Sequence, residues 1–146
     1  MGFPLFSLAL LLAQGCGMSS RNEDQERLQN YRKLLVVSGV NSYYHIEPKT
    51  KTSYPLVRGT LRNLGSESLE VVEFIVKFQD QFGRVIYEER TYPVFLSEYS
   101  SASPQAPLNP SQSMRFALKF PSCPPQWKEG KVEIEVSKIV FQKHSP

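Results

Sequence analysis

Histidine, cysteine and tryptophan are scarce in this chain: two, two and one among 146 residues. The histidines are His45 and His144, the second two residues from the last, so a Ser-His or Cys-His nucleophile would depend on His45 alone. Neither Gly-x-Ser-x-Gly nor His-Glu-x-x-His occurs, and Cys-x-x-Cys, a phosphate-cradling glycine loop and an Asp-rich calcium loop are missing too. His45 and Glu47 share a strand face, but zinc asks for further nitrogen or sulfur ligands that the pattern does not supply. An exposed polar pair is expected there, with no metal, no cofactor and no catalytic residue. The carboxylates Glu88, Glu89, Glu133 and Glu135 stand where strand alternation already explains them, and nothing argues for the apolar pocket a glycosidase acid would want. Long apolar runs are absent as well: the longest, residues 3–13, falls far short of the ~20 needed to cross a bilayer as a helix. No basic run exceeds Arg32-Lys33, so a net charge of +3 and a pI near 8.9 do not make a nucleic-acid footprint.

What is present is enough apolar material, 40% of residues with 12% aromatic, for one water-soluble domain and a short appendage. The apolar run at 3–13 reads as the h-region of a signal peptide. It ends in Leu12-Ala13-Gln14-Gly15-Cys16, which resembles the lipobox of bacterial lipoproteins. The resemblance implies that residues 1–15 are removed and that Cys16 carries a diacylglyceryl group and an acylated amino terminus. Each buried methylene would contribute ~0.8 kcal/mol to membrane attachment. Gly17 after the cysteine implies sorting to the outer membrane, facing the periplasm, in a two-membrane bacterium. An ordinary secretory signal with an incidental cysteine and a buried N-terminal strand are the alternatives. If Cys16 is lipidated no intramolecular disulfide is possible, and Cys123, among Pro121, Pro124 and Pro125, is a lone thiol. It is either buried and inert or a reactive, dimerising group.

Residues 16–33 are polar and form a tether. Ser20 and Glu23 have capping-box spacing and Leu28, Tyr31 and Leu35 recur at helical intervals, so either a short helix over about 21–33 or a solvated linker fits. From residue 34 to 141 the period changes to two, with strands expected at 34–40, 43–47, 56–63, 69–80, 85–94, 114–120 and 131–141. Asp80 to Arg84 supplies a hairpin turn, and a phase change at Ser137-Lys138 predicts a bulge. The expected fold is all-β, an antiparallel immunoglobulin-like sandwich of about seven strands, followed by a tail at 142–146. Val57-Arg58-Gly59-Thr60-Leu61-Arg62-Asn63, Phe78-Gln79-Asp80, Gly83 and Pro107-Leu108-Asn109-Pro110 before the strand at 114–120 resemble the FxLYD-type family of small sandwich domains in bacterial envelope lipoproteins. The family implies fold and compartment and offers no catalytic residues. Gly59 is expected to make room for the facing sheet or a bulge, and Asn63 with Gly65 to adopt left-handed backbone at a strand end.

The segment 96–113 is longer than ordinary connections. Its Pro104, Pro107 and Pro110 recur every third residue, the spacing of a polyproline II helix that exposes one face for docking; the alternative, and the commoner role, is a stiffened crossover that protects a sheet edge. Tyr92, Phe95 and Tyr99 with Trp127 would make an aromatic platform for a sugar or a protein if exposed, or plug the ends of the sandwich if not. Glu73, Lys77, Glu133 and Glu135 are expected to face solvent as scattered charges. The leading reading is a lipid-anchored envelope protein whose non-catalytic sandwich serves protein interaction or envelope structure, attached to the membrane through Cys16 and docking an envelope protein on the 96–113 loop or on the sheet edge beside it. A carbohydrate- or peptidoglycan-binding module is the first alternative and a hydrolase built around His45 the second.

Overall fold

The computed structural model describes residues 16–95 and 106–143. A helix, α1 (Cys16–Arg32), leads into six strands: β1 (Leu35–Ile46), β2 (Ser53–Asn63), β3 (Leu69–Gln79), β4 (Val85–Phe95), β5 (Ser113–Lys119) and β6 (Val132–Phe141). They form two three-stranded antiparallel sheets in the orders β1-β2-β5 and β4-β3-β6. The chain crosses between sheets after β2, after β4 and after β5, giving the all-β sandwich expected from the alternation. The count is six among the described residues because 34–40 and 43–47 belong to one strand: β1 continues through a bulge between Ser38 and Asn41, where Gly39 takes φ +60°. The helix already includes Cys16, earlier in the chain than the capping-box spacing suggested.

Each strand buries one face because its apolar residues are two apart. In β3, Val72, Phe74, Val76 and Phe78 are fully buried. Phe74 meets Phe116 of β5 edge-on with centroids 5.3 Å apart, and Phe78 meets Phe120 at 4.8 Å, so aromatic pairs tie the sheets together. The predicted bulge in β6 is present: Glu73 pairs with Lys138 and Phe74 with Val136, leaving Ser137 as the extra residue. The β3–β4 hairpin is closed by Asp80, whose Oδ1 accepts from the Phe82 and Arg84 N–H groups at 2.9 Å each, while Oδ2 accepts from Arg84 Nε at 2.8 Å. Gly83, at φ +79°, completes that turn.

Three expectations change. Gly59 makes room for its own sheet rather than for the facing one, since a Cβ there would overlap the ring of Phe116, its partner on β5. Asn63 and Gly65 are not left-handed; positive φ occurs instead at Gly39, Gly83, Gly130, Lys51 and Ser111 among the described residues. Glu73 is buried, 4% exposed, because Arg90 Nη1 at 2.8 Å and Ser137 Oγ at 2.7 Å compensate its charge where the bulge folds over it.

Phe74→Ala and Phe116→Ala should each lower stability by about 3–5 kcal/mol in urea denaturation, and Ile134→Ala, half-buried at the margin, by less, about 1–2 kcal/mol. Losses under about 1 kcal/mol at both phenylalanines would contradict this core.

Candidate functional site

The residues expected to carry function divide between the helix junction, the long crossover and the 121–127 turn. At the junction α1 is docked by its last turns. Leu28 and Tyr31 are three apart on one helix face and reach the core, and the Tyr31 ring meets Phe141 of β6 edge-on at 4.9 Å. The Tyr31 hydroxyl lies 2.9 Å from both Asn63 Oδ1 and the Glu67 carbonyl, its single proton serving one at a time, and accepts from the Glu67 N–H at 3.0 Å. Asn63 is fully buried at the end of β2. Its amide donates to the carbonyls of Glu67 at 2.8 Å and Leu108 at 3.2 Å, and its Oδ1 also accepts from the Gly65 N–H at 3.0 Å. Gly65 is required by contact, since a Cβ would overlap the Tyr31 ring and hydroxyl. Arg27 spans outward to both Glu67 carboxylate oxygens while its guanidinium sits 4.5 Å over Phe141. The segment Cys16–Arg32 is therefore a helix joined to the sandwich through the turn at residues 33–34. The sequence marked Tyr31 by its helical spacing with Leu28 and Leu35, and Gly65 by its place after Asn63, but not the contact between the two or the hydrogen bond from Tyr31 to Asn63.

Tyr99 and Pro104 lie outside the described residues. Pro107 is half-buried beside Leu108, which is fully buried and exchanges both backbone hydrogen bonds with Leu69, at 2.9 and 3.0 Å. Pro110 is exposed in a turn that ends at Ser111 with φ +63°. The second and third prolines thus flank a core-anchored bridge and do not continue one polyproline face. Trp127 corrects the platform reading: it is 3% exposed, stacked edge-on against Tyr44 at 4.9 Å and Phe78 at 5.7 Å, with Nε1 donating to the Lys131 carbonyl at 2.9 Å. A buried indole whose N–H is satisfied closes the end of the core and is closed to a ligand. His45 lies half-buried against Tyr54, ring centroids 5.4 Å apart, and Glu47 accepts from the Tyr54 hydroxyl at 3.2 Å.

Cys123 lines a groove of about 430 Å³ with Tyr44, Ser53 and Pro125. Burial, and then the Glu89 carboxylate, push its thiol up to about 11, opposite to what a nucleophile needs. Glu89 also accepts from the Tyr87 hydroxyl at 2.6 Å, which with burial raises that phenol to about 12. Across the molecule the Glu73 carboxyl is held below its usual range by hydrogen bonds from Tyr92 and Ser137, against burial, with Arg90 adding to the effect. Comparison with protein-family models, with curated proteins and with solved structures finds no match to this chain.

Tyr31→Phe removes a buried hydroxyl and leaves the Glu67 N–H without that partner, so stability should fall by about 1–3 kcal/mol in urea denaturation. Gly65→Ala should free α1, read as protease cleavage within residues 20–33 while the strands stay protected. In a Cys16→Ser background Cys123 should alkylate with iodoacetamide at pH 8 about tenfold or more slowly than free cysteine, and at the free rate once the chain is unfolded. Because the folded Glu73 pKa lies below the ordinary value of 4.5, its ionised form stabilises the fold fully above that pH, and the contribution is lost as pH falls through the lowered folded value. Glu73→Gln should accordingly flatten the acid limb of the stability-versus-pH curve.

Proposed function

We propose that this chain is a lipid-anchored protein of the bacterial cell envelope, held through acyl groups on Cys16, whose FxLYD-type sandwich acts without catalysis in protein interaction or envelope structure. In a two-membrane bacterium it would face the periplasm from the outer membrane. The observation that carries the reading is the continuity of helix and body: the residue at the lipobox position lies in a helix, Cys16–Arg32 among the described residues, whose far end is locked into the sandwich by Tyr31 and Asn63. At 1.5 Å per residue that helix spans about 25 Å, so an anchor at its start would carry the sandwich on a strut rather than a slack linker. The carbohydrate alternative that relied on Tyr99 beside Trp127 loses the indole to the core, and the hydrolase alternative has His45 against Tyr54 instead of in a converging cleft.

Metabolic labelling with a fatty-acid probe tests the anchor. The wild-type chain, expressed in a bacterium with lipoprotein-processing enzymes, should take up label and fractionate with membranes. Cys16→Ser should stay unlabelled and accumulate unprocessed or soluble. An unlabelled wild-type chain would overturn the reading.

A further inference from the structure

The two outer faces of the sandwich differ in charge. On β4-β3-β6 the outward positions carry both signs, and the pairs Arg90–Glu73 at 2.8 Å and Lys77–Glu135 at 3.6 Å neutralise part of them. On β1-β2-β5 the core takes Val57, Leu61, Met114 and Phe116, so alternation turns Arg58, Thr60 and Arg62 of β2 and Arg115, Ala117 and Lys119 of β5 outward. No Asp or Glu occupies an outward position of these three strands; Glu47, just past β1, reaches only Tyr54 at the far end. Arg58, Arg62, Arg115 and Lys119 are all exposed, and none has an ion-pair partner among the described residues.

Register turns these four into a ladder. Arg62 pairs with Ser113, Thr60 with Arg115, Arg58 with Ala117 and Leu56 with Lys119, so the cations alternate between β2 and β5 on successive rows. Rows two residues apart on strands about 4.8 Å apart put successive cations about 8 Å from each other, along a line of about 20 Å. Ser38 and Asn41 of β1 pair with Thr60 and Arg58, so hydroxyl and amide groups interleave with the charges. A shallow groove of about 610 Å³ runs between Arg58 and Arg115 beside Gly39 and Thr60. Two of the cations are already braced, Arg58 over the Tyr43 ring at 5.9 Å and Lys119 over Tyr54 at 5.8 Å, which reduces the entropy lost on binding.

We infer that this face binds a linear anionic glycan, with Arg62, Arg115, Arg58 and Lys119 pairing successive acidic groups and Ser38, Asn41 and Thr60 taking sugar hydroxyls. Recognition is ionic and independent of aromatic stacking. Among the described residues the face presents no free ring for a nucleobase: Tyr54 is buried, Tyr43 lies under Arg58 and His45 lies on Tyr54. A bilayer is disfavoured because the anchor stands a helix length away, and in this respect the choice of glycan rests on the envelope reading, whereas the cationic face does not.

The full-length chain in non-ionic detergent, bound to immobilised heparin as a sulfated linear glycan, provides the test. Soluble polygalacturonate should displace it, and salt should weaken retention steeply. Arg58→Ser/Arg115→Ser should lower affinity by about tenfold or more, while Lys77→Ser/Lys138→Ser, an equal loss of charge on the other sheet, should change it less than about twofold. Equal losses in the two double variants would reduce the effect to net charge and overturn the site. Displacement by phosphatidylglycerol micelles or by oligothymidylate, with polygalacturonate inert, would overturn the glycan in favour of a lipid surface or a nucleic acid. None of these outcomes depends on fatty-acid labelling of Cys16, so failure here and failure of the anchor are separable.

Discussion

One buried carboxamide organises the end of the molecule where helix, sheet and crossover meet. The Asn63 side chain binds Tyr31 of α1 and the carbonyls of Glu67 and Leu108, and its backbone takes up the other side: Asn63 N–H donates to Gln112 at 3.0 Å and its carbonyl accepts from Ser111 at 2.8 Å. Three segments, the last turn of α1, the 65–67 connection and the 108–112 end of the crossover, thus depend on one residue with no exposure. An unsatisfied amide in that position would cost about 1–3 kcal/mol per lost partner, so the network favours a single arrangement of these segments over any near alternative. The helix is positioned by this arrangement more than by its own propensity, since among its described side chains only Leu28 and Tyr31 reach the core cluster.

The opposite end is closed by different chemistry. Trp127, Phe78, Phe120 and Tyr44 pack edge-on in a chain of rings, with the indole N–H and the Tyr44 hydroxyl bonded to backbone carbonyls of the 125–131 segment. The thiol of Cys123 and the phenol of Tyr87 border this cluster around Glu89, and both stay protonated through the neutral range because burial and the nearby carboxylate oppose a second negative charge. One end of the sandwich is thus secured by amide hydrogen bonding and the other by aromatic packing.

The strands were legible because alternation is a local property: Val72, Phe74, Val76 and Phe78 announce β3 without reference to any other segment, and Ser137 announces its bulge by breaking the phase. What a residue does across strands was not legible. Glu73 reads as solvent-facing until β6 folds Ser137 over it and Arg90 of β4 reaches it. Trp127 reads either as a platform ring or as a plug at the end of the sandwich until Tyr44 and Phe78 enclose it and make it the plug. Asn63 was visible within a motif, but its partners at 31, 67 and 108 are too far apart in sequence for any spacing rule. The cations of β2 and β5 alternate plainly in each strand, yet their alignment into one line depends on the β2–β5 register, which a single sequence does not contain.

Gly59 and Phe116 illustrate the same non-local dependence in a form that bears on how this sheet can diversify. The ring of Phe116 occupies the volume a side chain on Gly59 would need, so the two positions share one allotment of core space. Neither is free to vary alone: enlarging the glycine collides with the ring, and shrinking the ring leaves a void against Phe74. The permitted route is a paired exchange, a larger residue at 59 with a smaller one at 116. Related chains should therefore show covariation across this rung, with the summed volume kept and the individual identities traded.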